Sequence, residues 1–204
     1  MYKIQAPNAY CCLLNCEKYI KHVELIHNSS FEPNVSACSI SYRFIRKVTF
    51  LRLKDGELEN NREFRKILVR VLRQYRPDVV LSMDPANLSF ENVYVGHADH
   101  RAAGLAVFDA VYPAARNRNF FPELLEEGLM PHAVSRIYFF GTADPNTWID
   151  IGETIEAKIE ALRAHKSQVG EFEDLSVWVR ERFGQLGKEK GVAYAEAFRQ
   201  LEIP

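Results

Sequence analysis

The chain has 204 residues, 47% of them hydrophobic, with 26 basic against 27 acidic side chains and a net charge of −1. That length suits a single domain with a sizeable core, and the balanced charge gives no electrostatic reason to expect a nucleic acid or an anionic membrane as partner. No stretch approaches the roughly 18 uncharged apolar residues of a spanning helix. The opening MYKIQAPNAYCC lacks the ordered regions of a secretory signal, so a cytoplasmic protein is expected.

The first 45 residues have no clean period. NAYCCLLNCEKYIKHVELIHNSS reads as a short strand followed by a helix, and FEPNVSACSISYRF as loop with one further strand. All four cysteines, Cys11, Cys12, Cys16 and Cys38, fall here. Their spacing matches no common zinc site, and buried thiols are the simpler reading.

From residue 46 the local signals agree with one another. KVTFLRL (47–53) alternates as a strand and ends at the turn Asp55-Gly56. Phe64, Ile67, Leu68, Val71, Leu72 and Tyr75 then recur at helical spacing, with Arg62, Glu63, Lys66, Arg70 and Arg73 on the other face. Asn60 or Asn61 can cap this helix, and Pro77 stops it at Arg76. DVVLSM (78–83) is a short apolar run suited to a buried parallel strand.

HADHRAAGLAVFDAVYPAAR reads as a loop entering a helix, with Asp99 near the cap and Pro113 near the end. VSRIYFF (134–140) and WIDI (148–151) read as strands. Helices are expected over 154–166, around 174–183 and over 193–201. Strands alternating with helices predict an α/β, Rossmann-like layered fold, with a mainly parallel sheet flanked by helices. A nucleotide-binding domain of that class is disfavoured, because no G-x-G-x-x-G turn follows a strand.

The densest chemistry lies in Gly96-His97-Ala98-Asp99-His100, between the strand 78–83 and the next helix. Open α/β sheets bind ligands beyond the carboxyl ends of their strands. Histidine is the commonest metal ligand and titrates near neutral pH, and an adjacent carboxylate can fix its tautomer. The plain alternative is a loop whose Asp caps a helix while both histidines sit half-solvated.

GHADHRAAGLAVFDAVYPAARN, continued by DAVYPAARNRNFFPEL, resembles the second motif of the PIG-L/LmbE-like de-N-acetylases. KVTFLRLKDGELENNREFRKILVRVLRQYRPDVVLSMDP is similar to the segment before that motif, TIEAKIEALRAHKSQ to a later helix ending in His-x-Ser-Gln, and YAEAFR also fits. The resemblance covers about residues 46–200 in the expected order. It implies one de-N-acetylase-like domain over 1–204, with 46–204 family-like and 1–45 diverged or replaced.

The resemblance further implies a zinc-dependent hydrolase acting on a small N-acetylated amino sugar or glycoside. On that reading His100 is a metal ligand. His97 stabilises the tetrahedral intermediate or protonates the leaving amine, and Asp99 orients a neighbouring histidine. The family's first motif, His-Pro-Asp-Asp, supplies two further ligands and the base, and no such run occurs in this sequence. His22, His27 and the cysteines are the substitutes at hand, and their spacing does not recommend them. The competing reading is therefore a catalytically impaired member kept for carbohydrate binding or interaction, whose sheet lacks a central strand or carries a substitute. Homo-oligomerisation is left open. Asp84, Tyr94, Arg116, His132, His165 and Gln168 carry weaker signals, each explained as well by turn formation, packing or surface charge.

Overall fold

The computed structural model describes residues 10–16, 19–26, 47–51, 53–54, 56–88, 98–164 and 173–204, those up to residue 50 as backbone. Seven strands form one sheet: β1 (Tyr10–Cys16), β2 (Tyr19–Ile26), β3 (Lys47–Phe50), β4 (Val79–Met83), β5 (Arg136–Phe140), β6 (Thr147–Asp150) and β7 (Ala195–Glu202). Their spatial order is β3-β2-β1-β4-β5-β7-β6. β1, β4 and β5 run parallel, and the outer pairings are all antiparallel. The sheet is thus mixed, rather than mainly parallel.

Two sequence expectations give way to sheet pairing. Residues 19–26 form a strand where a helix is expected, because β2 pairs along both edges, with β1 and with β3. The helix expected over 193–201 is likewise β7, hydrogen-bonded to β5 on one side and β6 on the other. Ala, Glu, Arg, Gln and Leu favour a helix locally, but ladder partners on both edges outweigh that preference. β1 also fills the place beside β4, so the central position is occupied by the 10–16 segment.

Among the described residues five α-helices accompany the sheet: α1 (Arg62–Tyr75), α2 (Ala98–Asp109), α3 (Glu123–Glu126), α4 (Ile155–Ala164) and α5 (Leu175–Lys188). Asn61 caps α1, its Oδ1 accepting from the Phe64 amide at 2.9 Å. Arg76, in the left-handed region at φ 51°, closes the other end through its amide to Leu72 O. Phe64, Leu68, Val71 and Leu72 pack with Val80, Val107, Val111, Ile137 and Phe139 into the main core. A smaller core of Ile151, Ile155, Ile159, Leu175 and Val179 lies under α4 and α5.

Arg73 departs from its expected place on the polar face, being 2% exposed. Arg62, Arg65, Val69 and Arg73 follow one another at steps of three and four, so α1 has a second inward face besides its apolar one. That face meets the segment after α2. There α2 widens into a π-helical turn (Ala110–Ala114) at Pro113, and the chain continues irregularly to α3. Arg73 Nε donates to Ala115 O, and its Nη2 donates to the carbonyls of Ala114, Asn117 and Phe120, at 2.9–3.2 Å. A planar guanidinium can do this because it offers several donors in one fork. No helix among the described residues is long and apolar enough to cross a membrane.

Candidate active site

β4 ends at Met83, and its carboxyl end leads into a turn at Asp84. Asp84 is buried; its Oδ1 accepts from the Ala86 amide at 2.8 Å, while its own amide donates to Phe140 O. Its carboxylate therefore builds the turn, which is the simpler of the two roles its sequence position allows. α2 packs directly onto this strand end. A Cβ at Gly104 would stand 2.5 Å from Met83 O and 3.3 Å from Pro85 N. Only glycine permits so close an approach, so Gly104 sets the seat of α2 on the sheet.

His100 lies one turn before Gly104, on the same face of α2. It is half-buried. Asp99 is 1% exposed and faces elsewhere. Its Oδ2 accepts from the Gly56 amide at 2.6 Å and its Oδ1 from the Leu58 amide at 3.2 Å. The carboxylate thereby clamps the loop between β3 and α1 to the first turn of α2. Gly56 adopts φ 78°, a left-handed conformation that glycine takes without strain. Asp99 thus has a loop-holding role that the sequence did not suggest, since nothing local links residues 56–58 to residue 99.

Of the expected site residues, Asp99 and His100 come together at the start of α2, with Asp84 at the end of the neighbouring strand. His97 and Tyr94 lie outside the described residues, as do His27, Cys38, His165 and Gln168, and His22 is described only as backbone within β2. Arg116 is placed over the Tyr112 ring at 5.8 Å. His132 is buried, and its Nε2 lies 2.7 Å from Pro77 O, which makes it a donor and a structural tie. Burial holds its imidazole below the ordinary value, the Pro77 hydrogen bond opposing that shift in part. Among the described residues no three His, Cys, Asp or Glu side chains gather as a metal site. The described residues therefore do not by themselves fit zinc.

The sequence profile of the PIG-L family, described as GlcNAc-PI de-N-acetylase, matches residues 31–111. The chain carries a PIG-L family domain. It is also 38% identical over 157 residues to a diacetylchitobiose deacetylase of Thermococcus kodakarensis, covering 76% of this chain and 57% of that protein. Among solved structures, the N,N′-diacetylchitobiose deacetylase of Pyrococcus horikoshii matches at 34% identity and a TM-score of 0.67, over 76% of this chain and 57% of that one. A conserved protein of Thermus thermophilus matches at 27% identity and a TM-score of 0.60, over 76% of this chain and 65% of that one. The chain thus spans little more than half the length of the deacetylases it matches. The PIG-L match ends within the π-helical turn after α2, so it includes α1, β4, the GHADH stretch and Gly104.

Proposed function

We propose that the chain is a hydrolase that removes acetyl groups from N-acetylated amino sugars. The observation that carries this reading is the 38% identity with a diacetylchitobiose deacetylase across three quarters of the chain. The packing of Gly104, one turn along α2 from His100, onto the carboxyl end of β4, where α/β sheets build their sites, supports it. In this reading water adds to the acetamide carbonyl, the C–N bond breaks, and acetate and a free amine leave. His97 stabilises the tetrahedral intermediate or gives a proton to the departing amine. Asp99 holds the 56–58 loop against the first turn of α2, which carries His100.

Zinc is the cofactor this reading calls for, with His100 as one ligand. At least one further ligand would have to come from a side chain outside those described, and no step of the reaction is assigned to the metal. The test is acetate release from N,N′-diacetylchitobiose by the purified chain, with and without added zinc. Turnover that His100→Ala abolishes is expected. Equal rates in the two proteins would overturn the reading.

The missing His-Pro-Asp-Asp run favours a second reading, a member that binds the sugar without turning it over. With one matched ligand, zinc should then be weakly held and lost on dialysis, since tight sites need several ligands fixed in place. Metal analysis separates the two, one firmly held zinc per chain speaking for the enzyme.

A further inference from the structure

On the second inward face of α1, a cavity of about 300 Å³ opens between the helix start and the 119–121 segment. Its lining is Arg62, Arg65, Asn119, Phe120 and Phe121. Asp109, which pairs with Arg65 at 3.5 Å, lies nine residues along α2 from His100. At 1.5 Å per residue this places it about 13 Å from that histidine, so the cavity is a separate place on the molecule.

Its walls are fixed before any ligand arrives. Phe121 is buried and held at φ 54°, a left-handed conformation that a bulky side chain rarely adopts. Arg73 grips the segment from inside, through the carbonyls of Asn117 and Phe120. From outside, the Arg62 guanidinium lies over the Phe121 ring at 4.7 Å. Phe120 is turned outward and 41% exposed.

The cavity is also short of negative charge. Arg65 gives Nη1 to Asn60 O, Asn60 Oδ1 and Asp109, which leaves the rest of its fork uncommitted among the described residues. Among the described residues Arg62 forms no hydrogen bond or salt bridge, stacking on the Phe121 ring and sensing Glu123 only through space. Glu123, the nearby carboxylate, is already bonded to Lys66 at 2.7 Å. The hydrogen-bond partners of Arg73 are all backbone carbonyls.

We propose that this cavity binds a small organic anion with a flat apolar body, an aromatic carboxylate being the simplest case. The carboxylate would take the open edges of Arg62 and Arg65, since a guanidinium fork matches a carboxylate in two-point geometry. The apolar body would cover Phe120, and the side-chain amide of Asn119 stands at the rim as a further donor. The cavity is at the small end of ligand sites, which suits a fragment-sized molecule and not a chain of sugars. This site stands or falls independently of the deacetylase reading.

The test titrates benzoate into the full chain by calorimetry at low salt. Saturable binding of one benzoate with Kd about 1 mM or tighter is expected for a ligand of that size. Benzyl alcohol, which lacks the charge, and inorganic phosphate, which lacks the apolar body, should each bind at least about tenfold more weakly. Arg62→Ala and Phe120→Ala alter exposed side chains and should keep the native circular dichroism. Each should weaken benzoate at least about fivefold, a factor in keeping with the loss of one charged or apolar contact. Arg182→Ala, on the exposed face of α5, and His100→Ala should leave benzoate affinity as it was. No binding, or binding indifferent to both Arg62→Ala and Phe120→Ala, would overturn the proposal. So would phosphate or benzyl alcohol binding as tightly as benzoate, and so would loss of binding in His100→Ala.

Discussion

The segment that follows α2 closes around Arg73, whereas α4 and β7 close around Lys158. Both cations are nearly inaccessible, but the partners differ in kind. Arg73 is met by four backbone carbonyls and by no hydrogen-bonded carboxylate. Lys158 is met by Glu196 at 2.6 Å, both side chains 8% exposed, with the Phe183 ring 4.5 Å from its Nζ. The contrast follows from the two head groups. A guanidinium spreads its charge over a flat fork and can satisfy several carbonyls of an irregular segment that has no ladder to pair them. An ammonium concentrates its charge and needs one strong counter-ion once it leaves water. Burial pulls Arg73 below its ordinary value, though arginine starts so high that it stays charged at neutral pH.

If Arg73 is the hub of its segment, removing it should have the largest effect. Arg73→Ala strands four carbonyls and is expected to cost about 4 kcal/mol, several hydrogen bonds to a charged donor being lost together. Arg73→Lys, with a single point of donation, should recover about half of that loss, as read from urea unfolding. A loss under about 1 kcal/mol for Arg73→Ala would show that the segment holds itself.

The second region should respond differently to single and double changes. Glu196→Ala leaves Lys158 buried without its carboxylate and is expected to cost about 3 kcal/mol. Replacing both partners, Lys158→Met with Glu196→Leu, should come within about 1 kcal/mol of the parent, because an apolar pair needs no desolvation repaid. A double variant as unstable as the single one would show that the charges contribute more than they cost.

The seat of α2 is the next smaller target. Gly104→Ala puts a methyl 2.5 Å from Met83 O, so either α2 or the end of β4 must move. A cost of about 2 kcal/mol is expected, in the range of other overpacked positions. If the chain is a deacetylase, turnover should fall further than stability does, because the shift carries His100 with it. Unchanged melting and turnover would show that α2 is not fixed there.

The smallest effect is a pH slope from His132, whose Pro77 contact ties the start of β4 to the turn before β5. Burial keeps its folded-state value below the usual 6.5, so in acid the unfolded chain takes up a proton that the folded chain resists. The contribution is complete above pH 6.5 and is lost as pH falls toward the lowered folded value. This residue adds at most about 1.4 kcal/mol per pH unit in that window. Unfolding midpoints of His132→Gln should show a flatter acid limb, and an unaltered limb would assign the slope to other groups.

Local chemistry made much of this molecule legible in its sequence. The α1 cap at Asn61, the stop at Pro77, the strands β4, β5 and β6, and the helices at 155–164 and 175–188 depend on nearest neighbours and on one clear period. The α/β class and the GHADH stretch beyond β4 were readable for the same reason. Three kinds of feature needed the folded chain. Partners on both edges made strands of residues 19–26 and 195–202, whose local patterns point elsewhere or nowhere. Arg73 looked like one more surface cation until the 114–121 segment brought it four carbonyls. Asp99 reached two amides more than forty residues upstream, a pairing that no spacing along the chain encodes. Periodicity reports which face of an element is apolar, but the partner that a buried polar group finds is decided by elements far away in sequence.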